Sequence, residues 1–169
     1  MKINHLGVLT GGGDCPGLNS VIRAVTKTAL LKYGMEVIGF IDGFRGLVEN
    51  NYIQLDLRRV SGIGHTGGTI LGTTNRDNPF NFMTMVKGIE QASDQSDRAV
   101  SNMRNLGLDG LIVIGGDGSL NIAYKFYQKG VKIVGVPKTI DNDLSATDVT
   151  FGFNAAVNTA SEALDKLHT

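Results

Sequence analysis

The stretch Asp109-Gly-Leu-Ile-Val-Ile-Gly-Gly-Asp-Gly-Ser119 decides the fold of this chain. Its apolar run at 111–114 is short, rich in β-branched residues and bounded by glycines, which predicts a fully buried parallel strand. A helical pattern begins directly after it. Glycines let a backbone approach a phosphate closely, and the N-terminus of the following helix offers N–H donors and a positive dipole. The stretch therefore predicts a strand, a phosphate-binding loop and a helix.

The position of Asp117 among these glycines indicates a metal. A carboxylate repels phosphate directly, but a divalent cation between the two makes the arrangement favourable. The alternative is a glycine-rich strand-to-helix turn with an ordinary capping aspartate. A second loop of the same kind favours the phosphate-binding interpretation.

That second loop is Thr10-Gly-Gly-Gly-Asp-Cys-Pro-Gly-Leu-Asn19. A strand at 3–10 precedes it, and apolar residues then recur at helical spacing up to a glycine stop at Gly34. The loop matches neither the dinucleotide fingerprint nor the Walker A pattern. It predicts another phosphate-binding unit, with a simple tight turn as the alternative.

The remaining pattern predicts strands at 36–41, 67–72 and 132–136, and an ambiguous short segment at 52–57. Helices are predicted from 96 to 107, at 120–129 and at 154–168. Between 80 and 93 the pattern is poor, and its methionines and aromatic residues are expected to fill core. The last helix is expected to face inward through Ala156, Val157, Ala160, Ala163, Leu164 and Leu167. This alternation predicts an α/β fold, an open, mostly parallel Rossmann-like sheet with helices on both faces, as one donor-phosphate-binding domain over residues 1–169.

Composition excludes several classes of partner. The chain has 169 residues, with 16 basic and 16 acidic side chains and no long run of either sign. This balance argues against a nucleic-acid or anionic-membrane surface. No apolar run is long enough to span a bilayer and no signal peptide is visible, so we expect a cytoplasmic location. One cysteine, Cys15, allows no internal disulfide, and we expect it to be a small loop residue, with a reactive thiol of lowered pKa as the alternative.

A third loop, Pro137-Lys-Thr-Ile-Asp-Asn-Asp143, follows the strand at 132–136. Ligands of such sheets bind beyond the carboxyl ends of the strands, where all three loops fall. Lys138 could hold a phosphate, and Asp141 could accept the proton of an attacking hydroxyl that Thr139 orients. Arg76, in the loop 73–79, is a candidate phosphate clamp, or a solvated loop arginine. These residue types indicate metal-assisted phosphoryl transfer to an alcohol.

Together these motifs resemble the amino-terminal half of the 6-phosphofructokinase family. The resemblance rests on Gly12-Gly-Asp14 with Pro16-Gly17 and Asn19, Asp42-Gly43, Gly67-Gly-Thr69, Leu71-Gly72, Gly115–Ser119 and Pro137–Asp143. It implies glycolytic transfer of the ATP γ-phosphoryl, with Mg²⁺, to the 1-hydroxyl of fructose 6-phosphate, giving fructose 1,6-bisphosphate. It also implies site roles: Asp141 as base, with Thr139 and Lys138 catalytic; Thr139, Asp141 and Asp143 for the sugar; Asp117 for the metal; and Gly13, Arg76, Gly116, Asp117, Gly118 and Ser119 for the donor. The family's arginine after Leu71-Gly72 falls on Asn75 or, with a shift of one residue, on Arg76, and we favour Arg76. Phe44 occupies a position where the family often stacks an aromatic ring near adenine.

Two positions bear on the phosphoryl donor. Gly118 resembles the ATP-using branch, whereas Lys138 resembles pyrophosphate-using and mixed branches. A steric opening decides whether ATP can enter at all, so we expect ATP, with pyrophosphate as the alternative. A lipid or NAD kinase shares the Gly-Gly-Asp-Gly loop but is disfavoured by Asp141-Asn-Asp143.

The chain is about half as long as this family's members, which implies that the sugar-phosphate-binding half is absent. We therefore expect the 169 residues alone to bind donor weakly and to turn over poorly or not at all. A non-catalytic nucleotide-binding or regulatory module is a further alternative. The resemblance implies a homo-oligomer, a dimer or tetramer, in full-length form.

Overall fold

The computed structural model describes residues 3–86 and 88–167, along which strands and helices alternate. The strands are β1 (His5–Thr10), β2 (Glu36–Phe40), β3 (Tyr52–Leu55), β4 (Phe82–Val86), β5 (Ile89–Ser93), β6 (Gly110–Gly115), β7 (Ile133–Thr139) and β8 (Phe151–Gly152). The α-helices are α1 (Leu18–Tyr33), α2 (Phe44–Glu49), α3 (Ser96–Asn105), α4 (Asp117–Gln128) and α5 (Phe153–Leu167). None of the helices in these described ranges is long and apolar enough to cross a membrane.

Six strands form one sheet in the order β3-β2-β1-β6-β7-β8. Every pair in it is parallel except β2 with β3, which is antiparallel. The carboxyl ends of β1, β6 and β7 therefore meet at one edge, which brings the three predicted loops together. The α/β fold with a mostly parallel sheet is confirmed.

Alternating side chains on the strands build a hydrophobic core on each face of the sheet. On one face, Val8 and Val37 pack with α1 through residues such as Ile22. On the other, Leu9 and Val113 pack with α2, α3 and α4. Because neighbouring strand residues point to opposite faces, both sides of β1 are fully buried and the three-layer prediction holds.

The predicted strand at 67–72 is wrong. A short 3₁₀ helix (Ile63–His65) precedes turns and bends there. Gly68 and Gly72 have φ of 69° and 68°, which is left-handed backbone and not extended strand. The Asn19 side chain also holds this segment, because its amide donates to Thr66 Oγ1 at 3.0 Å and its oxygen accepts from Ile70 N at 2.7 Å. Hydrogen bonds from the Asn19 side chain here take the place of the backbone hydrogen bonds that a strand would form.

The segment 80–93, whose pattern was poor, contains the antiparallel ribbon of β4 and β5. Phe82 is buried as expected, but Met83 and Met85 are 44% and 66% exposed, so the prediction that the methionines fill core is wrong. Alternation along β4 turns these two side chains away from the domain. The predicted strand at 132–136 also extends further, so that Lys138 and Thr139 belong to β7.

The predicted inward face of α5 is also wrong. Val157, Leu164 and Leu167 are 46%, 65% and 80% exposed, and α5 has no buried residue. The helix follows β8, a two-residue strand at the sheet edge, and its start packs near Gly17. Helical periodicity identified an amphipathic helix correctly, but it does not specify whether the surface that covers it belongs to the same domain.

Replacement of Phe126 by alanine tests the core beneath α4. The Phe126 side chain is fully buried, and its ring lies 6.2 Å from that of Phe44 and 5.1 Å from that of Phe80. We expect Phe126→Ala to lower the free energy of unfolding by about 3–5 kcal/mol, measured by urea denaturation. The neighbouring Tyr127 is 62% exposed, so Tyr127→Ala is the control and should cost less than about 1 kcal/mol. Equal losses would contradict this assignment of the core.

Candidate active site

A cavity of about 630 Å³ opens at the edge of the sheet where β1, β6 and β7 end. It lies within the roughly 300–1,000 Å³ typical of small-molecule sites. The predicted site residues that line it are Gly13, Gly116, Asp117, Gly118, Ser119, Lys138, Thr139, Asp141 and Asp143. The three loops that the sequence indicated therefore form one site.

Ser119 packs between the two glycine loops. A Cβ added at Gly11 would lie 2.5 Å from Ser119 Oγ, and one added at Gly115 would lie 2.4 Å from Ser119 Cβ. Gly11 N also donates a hydrogen bond to the carbonyl oxygen of Ile114 at 2.9 Å. Because Ser119 is only 7% exposed, it joins the loops after β1 and β6 as well as bordering the cavity.

The loop after Gly72 is hydrogen-bonded to the first glycine loop. Thr73 Oγ1 donates to the carbonyl oxygen of Gly12 at 2.7 Å, and Gly12 N donates to that of Thr74 at 3.1 Å. Asn75 and Asp77 line the cavity on either side of Arg76. Arg76 itself is exposed and is not part of the lining, so the structure does not bring this predicted phosphate clamp to the cavity wall.

Lys138 ties β7 to the first loop. Its side chain is 5% exposed, and Nζ donates a hydrogen bond to the carbonyl oxygen of Gly13 at 2.5 Å. A buried ammonium needs such an acceptor, because desolvation without a partner is costly. The Lys138 ammonium, which is predicted to hold a phosphate, therefore also supports the first glycine loop.

The residues predicted to bind the phosphoryl acceptor are arranged by a hydrogen-bond network at the end of β7. Thr139 Oγ1 donates to Asp143 Oδ1 at 2.9 Å, and Asp141 N donates to Thr139 Oγ1 at 3.2 Å. Asn142, in left-handed backbone with φ of 52°, accepts from Thr150 N at 2.9 Å through its side-chain oxygen. These bonds engage the Asp141 main chain and leave its carboxylate at the cavity.

Asp117 and Gly118 begin α4 on the cavity side. Gly116 is the N-cap residue in extended backbone, so Asp117 lies in the first helical turn, where a negative charge complements the dipole. Both Asp117 and Gly118 are exposed to the cavity. A Cβ added at Gly118 would have no atom within 4 Å. The missing side chain therefore leaves open space that a ligand can occupy.

Cys15 also lines the cavity but is not activated. It is 6% exposed, and its burial raises the pKa of the thiol; Lys138 acts in the opposite direction and Asp14 adds to the rise. The expectation of a small loop residue is therefore supported, and the alternative of a lowered thiol pKa is contradicted by this direction.

Phe44 and several residues of α4 also border the cavity. Phe44 borders the cavity, but it is 3% exposed and its ring stacks on Phe126, so core packing occupies the ring predicted to meet adenine. Sequence reasoning missed Asn121, Ile122 and Lys125 in the lining. A signal existed, because Asn121 and Lys125 follow Asp117 at intervals of four residues and so share one helix face.

Comparisons with known proteins agree with this geometry. The sequence profile of the family described as "Phosphofructokinase" matches residues 5–169. The chain is 59% identical over 168 residues to ATP-dependent 6-phosphofructokinase 2 of Clostridium perfringens, covering 99% of this chain and 46% of that protein. It is 50% identical over 165 residues to the pyrophosphate--fructose 6-phosphate 1-phosphotransferase of Streptomyces coelicolor, covering 97% and 45%.

The fold also resembles that of a solved structure, Pichia pastoris phosphofructokinase in the T-state. The TM-score is 0.79 at 31% identity, over 98% of this chain and 18% of the yeast chain. The chain spans about half the length of the curated relatives it matches.

The environment of Cys15 gives a prediction about alkylation. Since burial both shields the thiol and raises its pKa, iodoacetamide at pH 8 should modify the folded chain at least about tenfold more slowly than the urea-unfolded chain. Equal rates in folded and unfolded chains would contradict the assignment.

Proposed function

This chain belongs to the phosphofructokinase family, and we propose that it is the donor-binding part of a 6-phosphofructokinase. The reaction is transfer of the ATP γ-phosphoryl to the 1-hydroxyl of fructose 6-phosphate. One observation carries the proposal: Asp117, Lys138 and Asp141 line a single cavity beside two glycine loops. As part of the same proposal, the full-length protein is a cytoplasmic homo-oligomer.

Asp141 is the proposed general base. The 1-hydroxyl oxygen of the sugar bonds to the γ-phosphorus, the bond to the β–γ bridging oxygen breaks, and ADP leaves. The hydroxyl proton passes to the Asp141 carboxylate. Thr139 orients the acceptor, and Asp143, which accepts the Thr139 hydroxyl hydrogen bond at 2.9 Å, fixes that hydroxyl and completes the sugar-binding side.

Asp117 is the proposed Mg²⁺ ligand. Mg²⁺ is held by one or two carboxylates together with substrate phosphates and water, so a cavity with exposed Asp117 and further carboxylates fits it. Residues 3–86 and 88–167 contain no cluster of three or more side chains that would hold a metal by themselves. When bound, the ion neutralises charge that develops on the phosphoryl oxygens. Backbone N–H groups of the two glycine loops would orient the donor phosphates, apart from those of Gly11 and Gly12, which already donate to Ile114 and Thr74.

Gly118 and Lys138 are the two residues that bear on whether ATP or pyrophosphate is the phosphoryl donor. The open space at Gly118 supports ATP, because no side chain blocks it. The Lys138 ammonium already hydrogen-bonds Gly13, so its presence does not require pyrophosphate. Pyrophosphate is nevertheless the second candidate, because a pyrophosphate-using relative is as similar to this chain, at 50% identity, as an ATP-dependent relative from the same organism.

A chimera tests the proposed reaction. Residues 1–169 would replace the matching part of the C. perfringens ATP-dependent 6-phosphofructokinase 2. We expect the chimera to convert fructose 6-phosphate with Mg²⁺ and ATP in a coupled assay, and the 169-residue chain alone to show little or no turnover.

In this chimera Asp141→Asn should lower kcat by about 10²–10⁴-fold, the usual contribution of a general base, with little change in the KM for ATP. Asp148 is an exposed carboxylate of the same loop outside the cavity. Asp148→Asn is therefore the control and should retain activity. Full activity of Asp141→Asn would refute the role of base.

Gly118→Asp tests the donor. The new side chain would occupy the open space in the cavity and repel the donor's phosphates. We expect calorimetry to show Mg·ATP binding weakened by at least about tenfold, or 1.4 kcal/mol, and pyrophosphate binding weakened less. Gly67 also has no atom within 4 Å of an added Cβ but lies outside the cavity, so Gly67→Asp is the matched control. An unchanged affinity for ATP would show that Gly118 does not select the donor.

A further inference from the structure

The loop that carries the proposed base is hydrogen-bonded to Thr150, the residue before β8. Thr150 is buried, with 3% of its surface exposed. Its Oγ1 lies 3.2 Å from the carbonyl oxygen of Thr139 and 3.1 Å from the side-chain oxygen of Asn142, and it can donate to either. Thr150 N donates to the same Asn142 oxygen at 2.9 Å. Because the two acceptors flank Asp141 in the chain, one buried residue holds the loop on both sides of the base.

Asn142 has a backbone conformation that depends on such contacts. Its φ of 52° is left-handed, a region that residues with a Cβ adopt rarely and asparagine tolerates best. A conformation of this kind persists only where the surrounding structure holds it. The Asn142 side chain accepts from Thr150, and its amide also donates to the carbonyl oxygen of Asp148 at 3.4 Å. The turn directly after Asp141 is therefore fixed by the Asn142 side chain.

The bonds from Thr150 lie outside the ligand site. Neither Asn142 nor Thr150 lines the cavity, whereas Asp141 does. Asp141 and Asp143 are exposed, so core packing does not fix their positions. The adjoining strand β8 pairs with β7 over only two residues. The orientation of the Asp141 carboxylate therefore depends on hydrogen bonds that hold its loop from the side away from the cavity.

We propose that Thr150 is a positioning residue for the general base. Its hydroxyl, through Asn142 and the Thr139 carbonyl, holds the loop so that the Asp141 carboxylate faces the cavity. The inference rests on the proposed role of Asp141. Misplacement of a reacting group by about 1 Å can lower a rate by about 10²-fold, even when the altered residue is remote from the chemistry. Loss of the Thr150 hydroxyl should therefore reduce turnover although this hydroxyl contacts no ligand.

The chimera of residues 1–169 with the rest of the C. perfringens protein tests this with two variants of similar shape. Thr150→Val removes the hydroxyl, and Thr150→Ser retains it. We expect Thr150→Val to lower kcat by about 10–10²-fold with the KM for ATP within about twofold, and Thr150→Ser to stay within about threefold of the unmodified kcat. Thr147 Oγ1 donates to the carbonyl oxygen of Val149 at 3.0 Å in the same segment and outside the cavity. Thr147→Val is therefore the matched control and should retain its kcat.

A double variant distinguishes positioning of the base from general support of the fold. Residues that act through one group have non-additive effects. In an Asp141→Asn chimera, Thr150→Val should therefore lower kcat by less than about a further twofold. The same fold-loss with and without Asp141 would show a general structural role and would overturn the inference.

Asn142→Gly gives a second test, because glycine adopts a φ of 52° without strain but lacks the side chain that accepts from Thr150. It should reproduce the loss of kcat, including where Thr150→Val does not fold. Unchanged kcat in folded Thr150→Val or Asn142→Gly chimeras, with Asp141→Asn impaired, would refute the positioning role alone. Full activity of Asp141→Asn would refute the base and with it this inference. No conversion by the unmodified chimera would refute the proposed function itself.

Discussion

The contact of Ser119 with Gly11 and Gly115 is the constraint on which the site depends. Two parallel strands end side by side, and their loops are so close that a Cβ at either glycine would overlap the serine. Close packing of this kind is costly to disturb, because a protein interior has little free volume. Gly11 and Gly115 therefore let the loops after β1 and β6 share one wall beside the cavity.

Lys138 extends the same constraint to the third loop. Its ammonium is removed from water at the junction of β7 and the first glycine loop, and the Gly13 carbonyl oxygen compensates part of that desolvation. The first glycine loop and the end of β7, which carries Thr139, are thereby connected through one side chain.

The sequence predicted correctly those features that depend on local side-chain periodicity and backbone preference. Buried strands, helix stops such as Gly34 and the glycine loops follow from periodicity and backbone preference, and the sheet edge then follows from topology. The sequence-based prediction was wrong where contacts with residues far away in the chain determine the local structure. The segment 67–72 is held by hydrogen bonds from Asn19, a residue of α1. The apolar face of α5 is exposed because no described part of the chain covers it. Arg76 lies outside the cavity although its neighbours Asn75 and Asp77 line it. Lys125 lies on α4 beyond the glycine motif, so the motif alone did not indicate that it lines the cavity.

The two sides of the cavity differ in how deeply their residues are buried within this chain. The glycine loops are held by the buried side chains of Ser119 and Lys138, whereas Asp141 and Asp143 are exposed. A base in open solvent lacks the water exclusion that strengthens electrostatic effects in active sites. The relatives are about twice as long as this chain. Under the proposed function, the glycine loops at the donor end of the cavity are therefore held in place within this chain, whereas efficient transfer would need water to be excluded from the exposed carboxylates.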